Sequence, residues 1–436
     1  MKKILLGVLV CFTLQTNVWA INDVKKISLY EAIDIALKNN IDLKSSRLNL
    51  DIAQNEIAIA NRLKNPSIEA FYFWGGSGLY EPRQAGVSQV IEIGKRGPRK
   101  ELAKVGLKLA EKNVNFAEFE VKMNVREAYI DLVATKSIYE TLKQQEFLQE
   151  ELLKLAQNRV KTFKAPQIEE IQAEIALNQL LAQLNIAKAN VNSALAIFNK
   201  VINTSEKIVY DTTDKFFDEY NNFDDMYTPA PDSDFPSIEH MVKKGMVHRF
   251  DIQIAKREIE VAEKNLQVVL RQRIPNLRIS GGFAYIPGKY MKSGNFNGGA
   301  YTGVSIDEIP LFYSYSPEIK NASKKLEQAK LNYESIKNKA NNSIKASYER
   351  FLMAADNLNH YEYKIVTDSA KLIETSKKSY ELGQSDITSL IVMKQSYKAI
   401  LIGYTQALTD YYKSWTNFLR EINDEDYELC NCEESV

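Results

Sequence analysis

Apolar residues recur every seven positions at Leu102, Leu109, Phe116, Met123 and Ile130, the spacing of a coiled-coil seam. Val105, Phe119 and Val133 widen the stripe and predict a helix packed on more than one neighbour. Neither Gly nor Pro interrupts the runs Leu107 to Ala165 and Glu318 to Leu382. At 1.5 Å per residue, a helix of ~65 residues is about 100 Å long. Pro98 and Pro317 fall where a first helical turn favours proline, and Ser316 is placed to cap the second long helix. A returning helix follows each long one, over about Pro166–Phe198 and Asp386–Phe418. A shorter helix precedes each. One spans Leu29–Leu63, breaks near Asn39-Asn40 and ends at Pro66; the other spans Ile238–Arg273 and ends at Pro275. The stretches Ser67–Trp74, Ala85–Ile93, Leu277–Ile286 and Ala300–Ile309 are rich in Gly, Tyr, Phe, Val and Ser. Gly and Pro clusters separate them, which predicts two β-hairpins.

These elements form one unit written twice. Ser28-Leu29 matches Ser237-Ile238, and Asn40-Ile41-Asp42-Leu43 matches Arg249-Phe250-Asp251-Ile252. Ala53 matches Ala262 and Asn65-Pro66 matches Ile274-Pro275, all at an offset of 209. Gly86-Val87-Ser88 matches Gly303-Val304-Ser305 at 217, Pro98 matches Pro317 at 219, and Phe198 matches Phe418 at 220. The offset grows only where loops would lie, as in an internal repeat. The expected organisation is a first repeat over 21–202, an acidic linker over 203–236, a second repeat over 237–423 and an acidic tail over 424–436. The linker carries Asp211, Asp214, Asp218, Glu219, Asp224 and Asp225 and is stiffened by Pro229, Pro231 and Pro236. It reads as a surface insertion lying across the helices. The fold class is mainly α with a small β part.

Strand parity gives the hairpins two faces. Leu277, Ile279, Phe283 and Tyr285 fall on one side, Arg278 and Ser280 on the other. The first set is expected to meet lipid and the second a wet lumen. Tyr72, Phe73, Trp74, Tyr80, Tyr285, Tyr290 and Tyr301 are candidates for interfacial aromatics. Four strands cannot close a barrel, and open edges in lipid leave unsatisfied backbone groups. Cyclic assembly removes both obstacles, since three chains supply twelve strands.

Residues 1–20 read as a signal peptide, with basic Lys2 and Lys3, an apolar Ile4–Leu14 and a cut after Ala20. Val10 before Cys11 argues against a lipoprotein signal. Lys+Arg and Asp+Glu are both 56 in 436 residues, so no basic surplus favours nucleic acid. Cys430 and Cys432 sit too close for an easy disulfide. They read as free thiols in a disordered tail, as partners for another chain or as ligands for a thiophilic metal. His240 and His248 are eight apart, unsuited to a helical i, i+4 ligand pair, and His360 stands alone. Gly94-Lys95-Arg96-Gly97 lacks the spacing of a phosphate loop. Its Lys95 and Arg96, with Arg99 and Lys100, read either as a headgroup contact or as a solvated charge cluster. No residue set proposes a reaction, a cofactor or a resident metal.

The chain resembles the TolC-like outer-membrane efflux protein family over its whole mature length. The residues that carry this are Ile27-Ser28-Leu29-Tyr30-Glu31-Ala32-Ile33 with Asn39-Asn40, Asn65-Pro66, and the strand-to-helix junction from Gly86 to Gly97. That junction, and Lys164-Ala165-Pro166 at the first helical tip, look like the heavy-metal, CzcC-like branch. Tyr380-Glu381-Leu382-Gly383 looks like the second tip. The resemblance implies a homotrimer, with a twelve-stranded β-barrel in outer-membrane lipid continued by an α-helical barrel through the periplasm. It also implies a periplasmic adaptor and an inner-membrane transporter as partners. The gate and docking tips would comprise Phe163, Pro166, Glu169, Glu170, Gly383, Asp386, Ser389 and Val392. Ser389 and Val392 stand where family members carry pore aspartates, which puts a strongly acidic ring in doubt. A periplasmic adaptor and a secreted coiled-coil scaffold without a pore are the alternative readings.

Overall fold

The computed structural model describes residues 23–72, 83–203, 208–216, 237–285, 298–361 and 365–424. The order begins β1 (Asp23–Ile27), α1 (Leu29–Asn39), α2 (Ile41–Asn61), β2 (Ser67–Tyr72), β3 (Arg83–Ile91), α3 (Arg96–Lys161), α4 (Gln167–Ile202) and β4 (Ile208–Thr212). It continues with α5 (Ile238–His248), α6 (Phe250–Arg271), β5 (Asn276–Tyr285), β6 (Gly299–Asp307), α7 (Ser316–His360), α8 (Val366–Glu381) and α9 (Ile387–Ile422). The fold is mainly helical, with duplicated long hairpins and four strands in one sheet.

The punctuation is duplicated with the elements. Ser28 opens α1 with a capping box shared with Glu31, and Ser237 caps α5 in the same position. Asn40 caps α2 through Leu43 N at 2.9 Å. Its equivalent Arg249 caps nothing with its side chain; it binds Asp251 and Glu421 instead. Asn203 and Asn423 close α4 and α9 in the left-handed conformation, φ 57° and 61°, which asparagine tolerates.

The long helices differ from expectation in one copy. α3 is continuous over 66 residues. The run Glu318–Leu382, expected as one helix, is divided into α7 and α8, with π-helical turns at Tyr361 and Ile365. The Tyr361 hydroxyl lies where a Cβ on Gly403 would be. An insertion at such a contact is a tertiary effect that no glycine or proline announces.

Each copy buries its own core near the middle of its long helices. Ile27, Leu29, Ala32, Val125, Tyr129 and Phe198 join α1, α3 and α4. Met241, Ile344, Phe351, Tyr411, Trp415 and Phe418 join α5, α7 and α9. Burial grades along the heptad stripe: Met123 and Ile130 are buried, while Leu102, Leu109 and Phe116 are half-buried. Charges tie the copies together across α3 and α9. Lys413 meets Asp131 at 2.9 Å and Arg420 meets Glu127 at 3.5 Å.

Two strands were not foreseen as a pair. β1 and β4 lie parallel, Asp23 opposite Ile208 and Ile27 opposite Thr212. Tyr129 donates to Asp214 at 2.7 Å, Lys136 pairs with Asp211 at 2.9 Å, and Phe216 stacks on Tyr412. The described part of the linker thus lies against α3 and α9.

Candidate functional site: a two-faced sheet and two helical tips

The four hairpin strands form one antiparallel sheet in the order β2-β3-β5-β6, and β2 and β6 are its edges. Directly opposed residues share a face. The register sets Ile68, Val87 and Gly281 in one row, Ala70, Ala85, Phe283 and Ala300 in the next, and Gln89, Ile279 and Val304 in a third. Ile91, Leu277 and Ile306 follow on the same face. Ile68 is 86% exposed, Val304 70% and Phe283 56%. Among the described residues nothing covers this face.

The opposite face is polar. Ser67, Glu69, Gln84, Ser88, Arg278, Ser280, Ser305 and Asp307 alternate with the apolar set. Arg278 donates to Asp307 at 2.7 Å and to Glu69 at 3.2 Å, and Ser88 donates to Glu69 at 2.7 Å. Ser280 donates to the Gly303 carbonyl oxygen. Tyr301, expected among interfacial aromatics, lies on this polar face against Gly86 and Gly282, where Cβ atoms would collide with it. Tyr285 is placed by its strand register alone. The side chain of Tyr72, and Phe73, Trp74, Tyr80, Tyr290, Cys430 and Cys432, lie outside the described residues, as do most of the linker and the signal segment.

The ladders also adjust the sequence match. With Ser67 equivalent to Asn276 at 209, the partners Ser88 and Asp307 are equivalent at 219. The Gly86-Val87-Ser88 match to Gly303-Val304-Ser305 is therefore displaced by two residues. A slip of two preserves the face of every side chain, so the sequence pattern does not reveal it.

The basic junction is internally engaged. Arg99 pairs with Glu92 at 3.0 Å and donates to the Ala60 carbonyl at 3.0 Å, closing the C-terminus of α2. Lys95 meets Glu308 at 3.2 Å and Arg96 meets Asn61 at 3.2 Å.

At the far end, both hairpins turn with the same backbone. Lys164 N donates to Arg159 O at 2.8 Å and Gln384 N to Ser379 O at 2.9 Å. This is the 6→1 closure of a Schellman turn. Phe163 and Gly383 hold its left-handed position, φ 56° and 75°. Pro166 precedes α4 without a side-chain cap. Asp386 caps α9 by accepting from the Ser389 amide and hydroxyl. Those bonds, the hydroxyl's first, hold the Asp386 carboxyl below its ordinary range. Asp386 and Ser389 thus form a cap pair, Val392 is half-exposed and Glu170 is partly covered.

A three-residue contact joins the tips, and sequence reasoning placed Glu169 and Tyr380 there but missed Arg159. Tyr380 is fully buried and donates to Glu169 at 2.8 Å. The Arg159 guanidinium lies 4.4 Å from the Tyr380 ring centroid and donates to the Tyr380 carbonyl oxygen. Burial, then the bond to Glu169, raises the phenol above its usual range. This latch fastens α3 and α4 of one copy to α8 of the other. An aromatic one residue before the tip's Glu-Leu-Gly was the available signal.

No described helix is long and apolar enough to cross a membrane. Among the described residues no cluster of His, Cys, Asp or Glu is placed to hold a metal ion. No protein-family description matches the sequence, and no curated protein matches it. Solved structures do match. The Campylobacter jejuni CmeC outer membrane channel superposes with a TM-score of 0.74 at 17% identity, covering 90% of this chain and 85% of that one. The Neisseria gonorrhoeae MtrE outer membrane channel in its open state gives 0.71 at 17%, covering 91% and 89%. The outer membrane protein VceC of Vibrio cholerae gives 0.70 at 15%, covering 91% and 96%. At these identities the likeness establishes the fold.

Proposed function

We propose that the chain is one protomer of a homotrimeric outer-membrane channel, the passive exit duct of a tripartite efflux pump. The observation that carries this is the sheet: apolar on one face, polar on the other, and open at β2 and β6. A solitary sheet of this kind suits neither water nor lipid. Strand directions alternate across it, so β6 of one copy meets β2 of the next antiparallel, and closure around a ring keeps the alternation. Twelve strands then enclose a lumen lined by Arg278 and Ser280. Leu277, Ile279, Phe283 and Tyr285 face lipid. The exposed stripe Leu48, Ile52 and Ile59 on α2, with Leu63 just past its end, is the helical counterpart of the open edge.

The tips supply the gate and the docking surface. Phe163, Pro166, Glu169, Glu170, Gly383, Asp386, Ser389 and Val392 lie at or just past the two turns. The Arg159–Tyr380–Glu169 latch holds the two hairpins in the closed arrangement, and its release lets them part. Packed helices shift between discrete arrangements, so the gate has two states. A periplasmic adaptor docks at the tips, and an inner-membrane transporter supplies the energy. The heavy-metal branch is the assignment suggested by the Gly94–Gly97 junction. An adaptor or a pore-free scaffold would leave the apolar sheet face uncovered.

The duplication supplies the test. Val87 pairs with Gly281 within the chain. Their equivalents are Ile306, at an offset of 219, and Tyr72, at an offset of 209. In a Cys430→Ser, Cys432→Ser background, a chain carrying Ile306→Cys and Tyr72→Cys should form disulfide-linked dimers and trimers in isolated outer membranes, and neither single variant should. Absence of both products, with protein extractable without detergent, would refute the channel.

A further inference from the structure

Above the latch, α3, α8 and α9 line an open-sided recess of about 530 Å³. Leu148, Leu152, Leu155, Ile373 and Leu390 make its walls apolar. Lys394 projects into it from α9, and its ammonium donates to the Leu148 carbonyl oxygen. The other charges of the lining are Glu151 and Lys154 on α3 and Glu374, Lys377 and Glu381 on α8. Lys377 is paired with Glu151 at 3.7 Å and Glu374 with Lys378 at 2.8 Å. Lys394 has no carboxylate partner among the described residues, and the Leu148 carbonyl is the one acceptor that serves it. Burial, with repulsion from Lys377, pushes its pKa down to about 8. Glu151, whose attraction works against this shift, is shared with Lys377 and makes no direct bond to Lys394, and an ammonium so poorly paired in an apolar recess is costly. Its unused donors face a space large enough for a small ligand.

We propose that this cavity binds a small amphipathic carboxylate, its head on the Lys394 ammonium and its apolar body against Leu148, Leu152, Leu155 and Ile373. Such an occupant supplies the direct carboxylate partner that Glu151 does not, as a charge-assisted hydrogen bond, and fills space the side chains leave empty. It touches three helices at once, two of which carry the latch residues Arg159 and Tyr380. Occupancy therefore favours the latched arrangement. This site stands on its own geometry, whatever assembly the sheet makes.

Octanoate, octylammonium and octanol titrated calorimetrically into detergent-solubilised full-length protein test it. All three partition into micelles, so a site is read from saturation at fixed stoichiometry. Octanoate should saturate on the native chain, and octylammonium and octanol should not. Lys394→Met should weaken octanoate by about tenfold or more, as loss of a charge-assisted bond requires, while Lys371→Met, an exposed lysine of α8 outside the lining, binds within a few-fold of the native chain. Ile373→Trp fills the cavity from a half-buried position and should abolish saturation, which keeps the test valid should Lys394→Met fold poorly. Equal octanoate binding by the native chain and Ile373→Trp, or equal saturation by octylammonium, overturns the site. Disulfide trapping at Ile306 and Tyr72 reads the channel separately.

Discussion

The two helical tips share a backbone and almost no side chains. Both close with the same 6→1 hydrogen bond and the same left-handed residue, yet one places Phe163 there and the other Gly383. Phe163 is 98% exposed, so no packing offsets its unfavourable conformation. Glycine takes that conformation freely, whereas an L side chain crowds its own carbonyl. Position 380 differs in the opposite sense. Copy two buries Tyr380, and copy one has the partly covered Val160 there. The turn is therefore set by main-chain closure, and the side chains are left to take separate work. One tip holds the latch, and the other displays a strained aromatic, an outlier of the kind that marks function.

Substitutions at equivalent positions should separate these roles. Tyr380→Ala should be the most damaging, costing about 3–5 kcal/mol as a truncated buried aromatic. It should also raise bilayer conductance, with Val160→Ala leaving conductance near native. A Tyr380→Ala channel that melts and conducts like the native one would remove the latch. Gly383→Val should cost about 1–2 kcal/mol in denaturant melts, because a β-branched residue must enter the left-handed region. Phe163→Gly should move the other way and stabilise by about 0.5–1 kcal/mol, the released strain being partly offset by glycine's backbone entropy. Its binding to an adaptor tip should nonetheless weaken; undiminished binding would leave Phe163 without a docking role.

The smallest effect is one of pH. Asp386 has its carboxyl pKa lowered in the folded chain. Its cap therefore stabilises α9 above the ordinary carboxylate range and is lost as pH falls through the lowered value. The Pro166 tip has no such group. Thermal melts between neutral and acid pH should show the native chain losing more stability than Asp386→Asn, and parallel curves would show that the cap carries no linkage.

The duplicated order, the break at Asn40, the proline-marked ends and the two faces of the strands were legible because each is a local pattern. Strand parity put Arg278 and Ser280 opposite Leu277, Ile279 and Phe283 without any knowledge of partners. Relations between distant residues were not legible. The latch joins Arg159 and Glu169 to Tyr380, more than two hundred positions away. The second long helix divides beside a contact between Tyr361 and Gly403, on another helix. Asp386 was legible as a tip residue, but its cap on the Ser389 amide and hydroxyl was not.

The parallel pairing of β1 with β4 bears on the order in which the molecule is made. A chain that emerges N-terminus first presents residues 23–27 long before residues 208–212 exist. The opening strand must wait through the whole of α1 to α4, and the closing of so long a loop is the slow step for that contact. Once made, it closes a loop around α1 to α4 and holds Ile27 in the hydrophobic core of the first copy. The clasp thus ties the beginning of the first copy to the segment that follows its last helix.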